Sequence, residues 1–232
     1  MTNRYKGILF YSKKIKDNDW YIKILASNDQ INSGIVYGGN SSKKKLIYQN
    51  GYFIDFLFIK KNDHSPPIIT ADLSKPYIGE IFNDKYKMNA LLSILDLINI
   101  SFFEGQYIKN FYQSVYHLVD KIIYQKHWLV HYCIWLFDLM QLLGYQIDYK
   151  KNIENKYFSI SNQVFYKEND INTIEFPHNL FSKNPEVNLK NINLIFSIFE
   201  NILLTNHLDN VKYKMPITYI NFKEMIIKRL KF

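Results

Sequence analysis

Apolar and polar positions change their period once along this chain. Before residue 80 the apolar residues come in short runs, Arg4–Ser12, Trp20–Ser27, Ile31–Gly38, Tyr52–Lys60 and Ile68–Ser74, each bounded by Asp, Asn, Gly or Pro. That punctuation predicts five β-strands. In the second run Trp20, Ile22, Ile24 and Ala26 share one face and Tyr21, Lys23, Leu25 and Ser27 the other, the alternation of a strand with one side in a core. The fourth run is apolar on both faces apart from Asp55, which predicts a strand covered on both sides. Five short strands in this length fit a small barrel, because closure removes exposed edges. An OB-type barrel leads; an SH3-like barrel gives a similar pattern, and the pattern alone does not separate them.

After Pro76 the period lengthens. Asp84 precedes Met88, Leu91, Leu92, Leu95 and Ile98, spaced as one face of a helix with Asp84 as its N-cap. A second helix is predicted from about Tyr107 to Gln125, with Ile108, Phe111, Val115, Val119 and Ile122 on one side. A third runs from Trp128 to Leu143 and stops at Gly144, a left-handed cap. It is apolar nearly all round, which marks a buried central helix. Residues 145–186 are weakly patterned, read as irregular structure with a short hairpin over Tyr157–Tyr166; helices resume near Asn188–Asn206 and Ile217–Leu230. The expectation is therefore a basic β-barrel domain over residues 1–80 and an α-helical domain over 81–232.

Charge sharpens this division. The 232 residues carry a net charge of +8 at neutral pH. Residues 1–80 hold 12 basic and 7 acidic side chains, and residues 81–232 hold 17 and 14, so the excess is concentrated in the strands. Net charge speaks of partners and solubility, not of fold. Lys, Asn, Ile, Tyr and Phe, which are over-used here, all have AT-rich codons. Base composition can raise lysine and aromatic counts together, so position matters more than amount. The chain is too apolar and aromatic for a disordered segment. Its longest apolar stretch is interrupted by His131, Asp138 and Gln141, short of a membrane span. The first residues lack the apolar core of a signal peptide. A single cysteine, Cys133, forms no internal disulfide, which favours a reducing compartment. A cytoplasmic, non-membrane protein is expected.

The strongest local feature is Gly38-Gly39-Asn40-Ser41-Ser42-Lys43-Lys44-Lys45, between the third and fourth strands. Three adjacent lysines cannot all point inward, and glycines let a backbone turn tightly or approach a ligand. Such a cluster suits phosphates, whose neutralisation releases counterions; a solvated loop with solubilising lysines gives the same pattern. Lys13-Lys14-Ile15-Lys16 and Lys60-Lys61 are further clusters near strand ends, and Arg4 lies in the first strand. If a barrel gathers these loops on one side, the basic patch is extended. Tyr5, Tyr11, Trp20, Tyr21, Tyr37, Tyr48, Tyr52 and Phe53 include candidates for base stacking, though most read equally as core, Trp20 above all. His127 and His131 are spaced i, i+4, as two ligands of one metal ion would be, but no Glu follows His127 and no third ligand is near. Cys133 lies in the most apolar helix and reads as an inert core thiol. There is no Walker-type loop, GxGxxG, GxSxG or CxxC, so no catalytic residue, metal or cofactor is expected.

Taken in order, these features resemble the bacterial DNA repair protein RecO family, recombination mediators, over approximately residues 5–150 and 190–225. The resemblance starts at Gly7-Ile8-Leu9 and continues through Ser33-Gly34-Ile35-Val36-Tyr37-Gly38-Gly39. Lys45-Leu46-Ile47-Tyr48-Gln49-Asn50-Gly51 is similar to the family's Arg-Pro-x-Leu-Gln-Pro-Gly segment. Asn83-Asp84-Lys85 with Ala90-Leu91-Leu92-Ser93 resembles the entry into its first long helix. Trp128 to Tyr145 looks like its tryptophan-to-tryptophan helix ending in Leu-Gly-aromatic. Departures are Tyr37 where arginine is common, Tyr48 and Asn50 for leucine and proline, and Leu136 for glutamate. Some members carry a four-cysteine zinc site after the third helix, whereas residues 145–186 contain no cysteine, so no zinc is expected.

The resemblance implies an OB-fold domain followed by a helical domain, and a non-enzymatic role. That role is binding single- and double-stranded DNA, annealing complementary strands, and acting with RecR and sometimes RecF. It helps RecA, indirectly, to replace single-strand-binding protein, in the cytoplasm at the nucleoid. The residues expected to touch DNA are Lys43, Lys44 and Lys45, then Lys13, Lys14, Lys60, Lys61 and Arg4. The alternatives are a general nucleic-acid-binding OB protein without a mediator role, and a metal-dependent enzyme using His127 and His131.

Overall fold

The structure, a computed structural model, describes residues 2–15, 18–62, 64–75, 77–208 and 214–231. Lys16 of the first lysine cluster and Pro76 lie outside these residues. Five strands come first, as expected: β1 (Thr2–Lys14), β2 (Trp20–Ala26), β3 (Ile31–Val36), β4 (Phe53–Ile59) and β5 (Ile68–Lys75). A four-residue helix, α1 (Ser42–Lys45), interrupts the β3–β4 connection. Helices α2 (Tyr77–Ile81), α3 (Lys85–Ser101), α4 (Phe111–Tyr124) and α5 (Trp128–Leu142) follow. Short strands β6 (Tyr157–Ser159), β7 (Val164–Tyr166) and β8 (Ile174–Glu175) precede α6 (Leu189–Leu203) and α7 (Ile217–Leu230). An N-terminal sheet followed by helices is thus the observed layout. The compact units are Met1–Ile123 and Tyr124–Phe232, so the change of period near residue 80 falls inside the first unit.

The five strands close in the order β1-β2-β3-β5-β4. Strand β1 is long enough to serve two neighbours: Thr2–Ile8 pair with Ile59–Phe53 of β4, and Gly7–Lys14 with Ala26–Trp20 of β2. The β1–β2 register shifts between Leu9 and Tyr11, a bulge that sharpens the local twist. Closure rests on one parallel pair, Ile35 with Ile68, beside a hydrogen bond from Ile35 N to Pro67 O at 2.8 Å. Leu9, Ile22, Ile24, Ala26, Val36, Tyr48, Ile54, Phe56 and Ile69 fill the interior. Tyr48 enters it from the β3–β4 connection, and its hydroxyl accepts from Ala71 N at 2.9 Å. A polar group on the edge of β5 is thereby satisfied where β3 has already parted from it.

The outer face is only partly covered. Ile8, Leu25 and Phe53, paired in one row, are buried at 0, 0 and 3% exposure, and α3 lies against β1. Phe53 meets Tyr77 and Tyr116 edge-on at 4.9 and 5.5 Å. Further along β4, Leu57 is 37% exposed, so this strand is not covered on both sides throughout, as its composition suggested. Asp84 caps α3 as expected, accepting from Tyr86 N and Lys87 N. Helix α4 starts at Phe111 rather than Tyr107, because the preceding segment is bound to the β2–β3 turn. Asp29, in that turn, accepts from Asn110 N at 2.7 Å and Tyr112 N at 3.0 Å. A carboxylate from the barrel thus serves the positive end of α4.

In the second unit α5 is buried along most of its length, including Cys133 and Trp135, and Gly144 closes it at φ 92°. The expected hairpin forms, with Tyr157 opposite Tyr166. Rings pack together in the segment after α5: Phe176 lies within 6.1 Å of Phe137, Tyr149, Phe158, Phe165 and Phe181, centroid to centroid. Helix α6 ends in a π-helical turn, Leu204–Leu208.

Two outcomes follow. A Cβ at position 34 would sit 2.6 Å from Pro67 O and 3.0 Å from Ile69, at the closing contact, where backbone cannot yield. Gly34→Ala is expected to destabilise the chain by about 1–3 kcal/mol, measured by denaturant unfolding. The second concerns Glu104, which takes hydrogen bonds from the Tyr21 hydroxyl and from Ser33 Oγ at 2.6 Å, with Lys23 Nζ 3.9 Å away. Burial raises its carboxyl, but these hydrogen bonds and the Lys23 charge outweigh that and hold it below the usual value. A carboxyl lowered on folding stabilises the chain above the ordinary carboxylate range, and that stability is lost as pH falls through the folded value. Glu104→Gln should flatten this acid-side loss, measured as unfolding midpoint against pH.

Candidate nucleic-acid interface

Strand register decides where the lysines go. Ile59 pairs with Ile68, Ile68 with Ile35, Ile35 with Tyr21 and Tyr21 with Lys13. One row of residues thus runs round the barrel from the end of β4 to the end of β1. The β1–β2, β3–β4 and β4–β5 connections all leave from this row. β1 and β3 leave this row in one direction, so Lys13 and Lys14 at the end of β1 and Lys43–Lys45 just after β3 share one end of the barrel; β4 runs the other way, and Lys60 and Lys61 follow Ile59 beside Thr2 at the start of β1. Lys13, Lys14, Lys43, Lys45, Lys60 and Lys61 are exposed. Arg4 is elsewhere: it is exposed on the strand face of β1, opposite Leu57 of β4.

The β3 exit is held firmly. Gly38 turns at φ 64°, a left-handed conformation that suits glycine, and its N–H donates to Asp19 Oδ1 at 3.0 Å. Asn40 N donates to Asn18 O at 3.1 Å. These two bonds tie the β1–β2 loop to the turn that carries the lysines. Gly39 rests on the Trp20 ring, where a Cβ would approach to 3.1 Å. Trp20 packs on the barrel core, as its place in the second run suggested.

Lys43, Lys44 and Lys45 lie on α1 and are not equivalent. Lys44 Nζ donates to Tyr37 O at 2.7 Å, folding α1 back on the strand it follows, while Lys43 and Lys45 are exposed. In the sequence the three are alike, because the pattern carries no sign of this backbone contact. Leu46, next in the chain, is 70% exposed.

The aromatic candidates separate in the same way. Tyr48 and Phe53 are buried, at 2 and 3% exposure. Tyr5 packs against Phe56 at 5.9 Å, and Tyr52 against the core. Tyr11 and Tyr21 meet at 6.4 Å on the outer face, where Lys23 Nζ stands 5.5 Å from the Tyr11 ring. Burial, then the bond to Glu104, pushes the Tyr21 hydroxyl up to about 12. Lys23 Nζ also donates to Asn99 Oδ1 at 3.2 Å. The outer face of β2 and β3 is thus occupied by the chain's own α3 and the segment after it. Tyr37, at 51% exposure, is the one of the eight that projects into solvent.

In the second unit His127 is the exposed N-cap residue of α5, and His131 is half-buried. Both line a cavity of about 450 Å³ with Val130, Ile134, Phe181 and Lys183. Among the described residues, no three His, Cys, Asp or Glu side chains stand together as metal ligands. Burial pushes the Cys133 thiol up, away from the thiolate a nucleophile needs. No described helix is long and apolar enough to cross a membrane.

No family model matches the chain. It is 27% identical to the DNA repair protein RecO of Rickettsia bellii (strain OSU 85-389), over 95% of this chain and 97% of that protein. The DNA repair protein RecO of Rickettsia canadensis (strain McKiel) is 29% identical over 145 residues, 62% of this chain and 59% of that protein. That of Rickettsia rickettsii (strain Iowa) is 29% identical over 146 residues, 62% of this chain and 60% of that protein. The resemblance read from the residues and these matches agree: the chain is a relative of the DNA repair protein RecO.

Proposed function

We propose that this chain is a DNA repair and recombination mediator that holds DNA by its phosphates at one end of an OB-type barrel. The observation that carries the reading is the convergence of two lysine-bearing loops, β1–β2 and β3–β4, at one end of the barrel, tied to each other through Gly38 and Asp19. The strand order, with β3 beside β5 in parallel and a short helix between β3 and β4, supports an OB-type assignment. Such folds use the β1–β2 and β4–β5 loops for nucleic acid. The names of the relatives supply the DNA repair setting.

Lysines that meet phosphates position a strand without reading its sequence. That is what annealing requires: charge neutralised on two strands so that complementary bases can meet. The step needs no general acid, base or metal, and a non-enzymatic role follows. The partners implied are single- and double-stranded DNA, single-strand-binding protein, RecR and RecF, with RecA served indirectly, in the bacterial cytoplasm at the nucleoid. Lys43 and Lys45 carry the first contacts, joined by Lys13 and Lys14, with Lys60 and Lys61 as more distant contacts beside the start of β1. Lys44 contributes field and braces α1. Arg4 extends the patch along β1.

Two measurements test this. The log–log salt slope for single-stranded DNA should flatten by about 1.4 in the Lys43→Ala, Lys45→Ala double variant, at ~0.7 per phosphate contact; an unchanged slope removes these residues from the interface. The whole chain should also accelerate annealing of complementary strands coated with single-strand-binding protein. Binding to bare strands without that activity would leave only the general nucleic-acid-binding alternative.

A further inference from the structure

We infer that Tyr37 is a base-stacking platform that makes this end of the barrel prefer unpaired DNA to duplex. The inference rests on the reading of that end as a DNA site and adds a contact of a different kind, to bases rather than phosphates.

The argument begins with the backbone. Val36, at 1% exposure, points into the barrel and pairs with Trp20. Tyr37 is the next residue and therefore points out. Its carbonyl accepts from Lys44 Nζ at 2.7 Å, and the N–H of the following Gly38 donates to Asp19 Oδ1 at 3.0 Å. The ring is thus mounted on backbone held from both sides, with only its own side-chain torsions to lose on binding. It is 51% exposed and makes no aromatic contact among the described residues. The other seven candidate rings are buried, packed on the core or engaged with one another, as described above.

Its setting is electropositive. Lys44 is anchored at its own carbonyl, and Lys43 and Lys45 are exposed on the same short helix. A strand whose phosphates meet these lysines carries its bases a few ångströms from the backbone, within reach of a tyrosine ring. Stacking of this kind tolerates any base, because every base has a π-face. In duplex DNA those faces are already stacked on neighbouring base pairs, so the ring gains little there. Preference for single strands follows from access alone, with no base-edge readout. Tyrosine here contributes no charge, so its contact does not release counterions.

That difference makes the contact separable from the lysines. Binding of the full chain to oligothymidine, to an abasic strand of equal length and to a duplex is measured over a salt series. Tyr37→Ala should weaken oligothymidine binding by about 5- to 150-fold, the range for loss of one stacked base. It should leave the salt slope, abasic-strand affinity and duplex affinity unchanged. Tyr37→Phe should bind as the natural chain does, and Tyr37→Leu, apolar but without a flat ring, should behave as Tyr37→Ala. Thermal unfolding of each variant checks that the barrel is intact; should Tyr37→Ala melt early, the Phe and Leu pair decides. An equal loss on the abasic strand, or no loss on oligothymidine while the Lys43, Lys45 variant flattens the slope, overturns the stacking role and leaves the DNA reading standing. Failure of the natural chain to bind any of the three overturns both.

Discussion

The closing contact between β3 and β5 is the constraint on which the first unit depends. Strands that run parallel cannot be joined by a tight turn, and here the two meet at a single residue pair, Ile35 with Ile68. Gly34 permits it by letting Pro67 O approach where a side chain would stand. With β5 between them, the chain must pass from the end of β3 to the start of β4, where Phe53 pairs with Ile8 in the middle of β1 and with Lys75 at the end of β5. It does so through α1 and Tyr48, whose ring fills the interior and whose hydroxyl completes the edge of β5. The ends of β1 and β3 are aligned through β2, Lys14 beside Trp20 and Trp20 beside Val36, so the register that builds the core also brings two lysine loops together.

Gathering like charges on one end has an electrostatic cost that water and salt reduce and a polyanion offsets. The fold moderates it by tying Lys44 to a carbonyl and by dividing the exposed lysines there between two loops. The hydrogen bonds from Gly38 to Asp19 and from Asn40 to Asn18 tie these two loops to each other. A phosphate backbone meeting them finds a surface already arranged, and less ordering has to be done on binding.

The helices that follow the barrel also shape what it offers. Asp29 holds the start of α4, and Tyr21, Lys23 and Ser33 hold Glu104. These contacts cover the outer face of β2 and β3 with protein and leave the loop end as the open basic surface. In the second unit, rings around Phe176 and the three-stranded sheet give the segment after α5 an apolar core of its own. Aromatic packing is a sufficient physical reason for that segment to fold without cysteine ligands.

Much of this was legible in order along the chain, because its causes are local. The alternation of Ile22, Ile24 and Ala26, the Asp84 cap and the Gly144 stop act within a few residues, and the structure places each as the pattern implied. What could not be read are features whose partner is far away in sequence. Helix α4 begins late because Asp29 binds its first amides. Leu57 lies in an almost wholly apolar run, yet it is 37% exposed, and its cover depends on what packs against β4 from elsewhere in the chain. Three lysines in a row looked equivalent until a carbonyl seven residues earlier claimed the middle one. The sequence by itself determined the strands, the helices and the excess of positive charge in the first 80 residues. Only the tertiary structure decided which lysines share a surface and which one of eight aromatic rings stands free, since both depend on strand register and barrel closure, which are relations between distant residues.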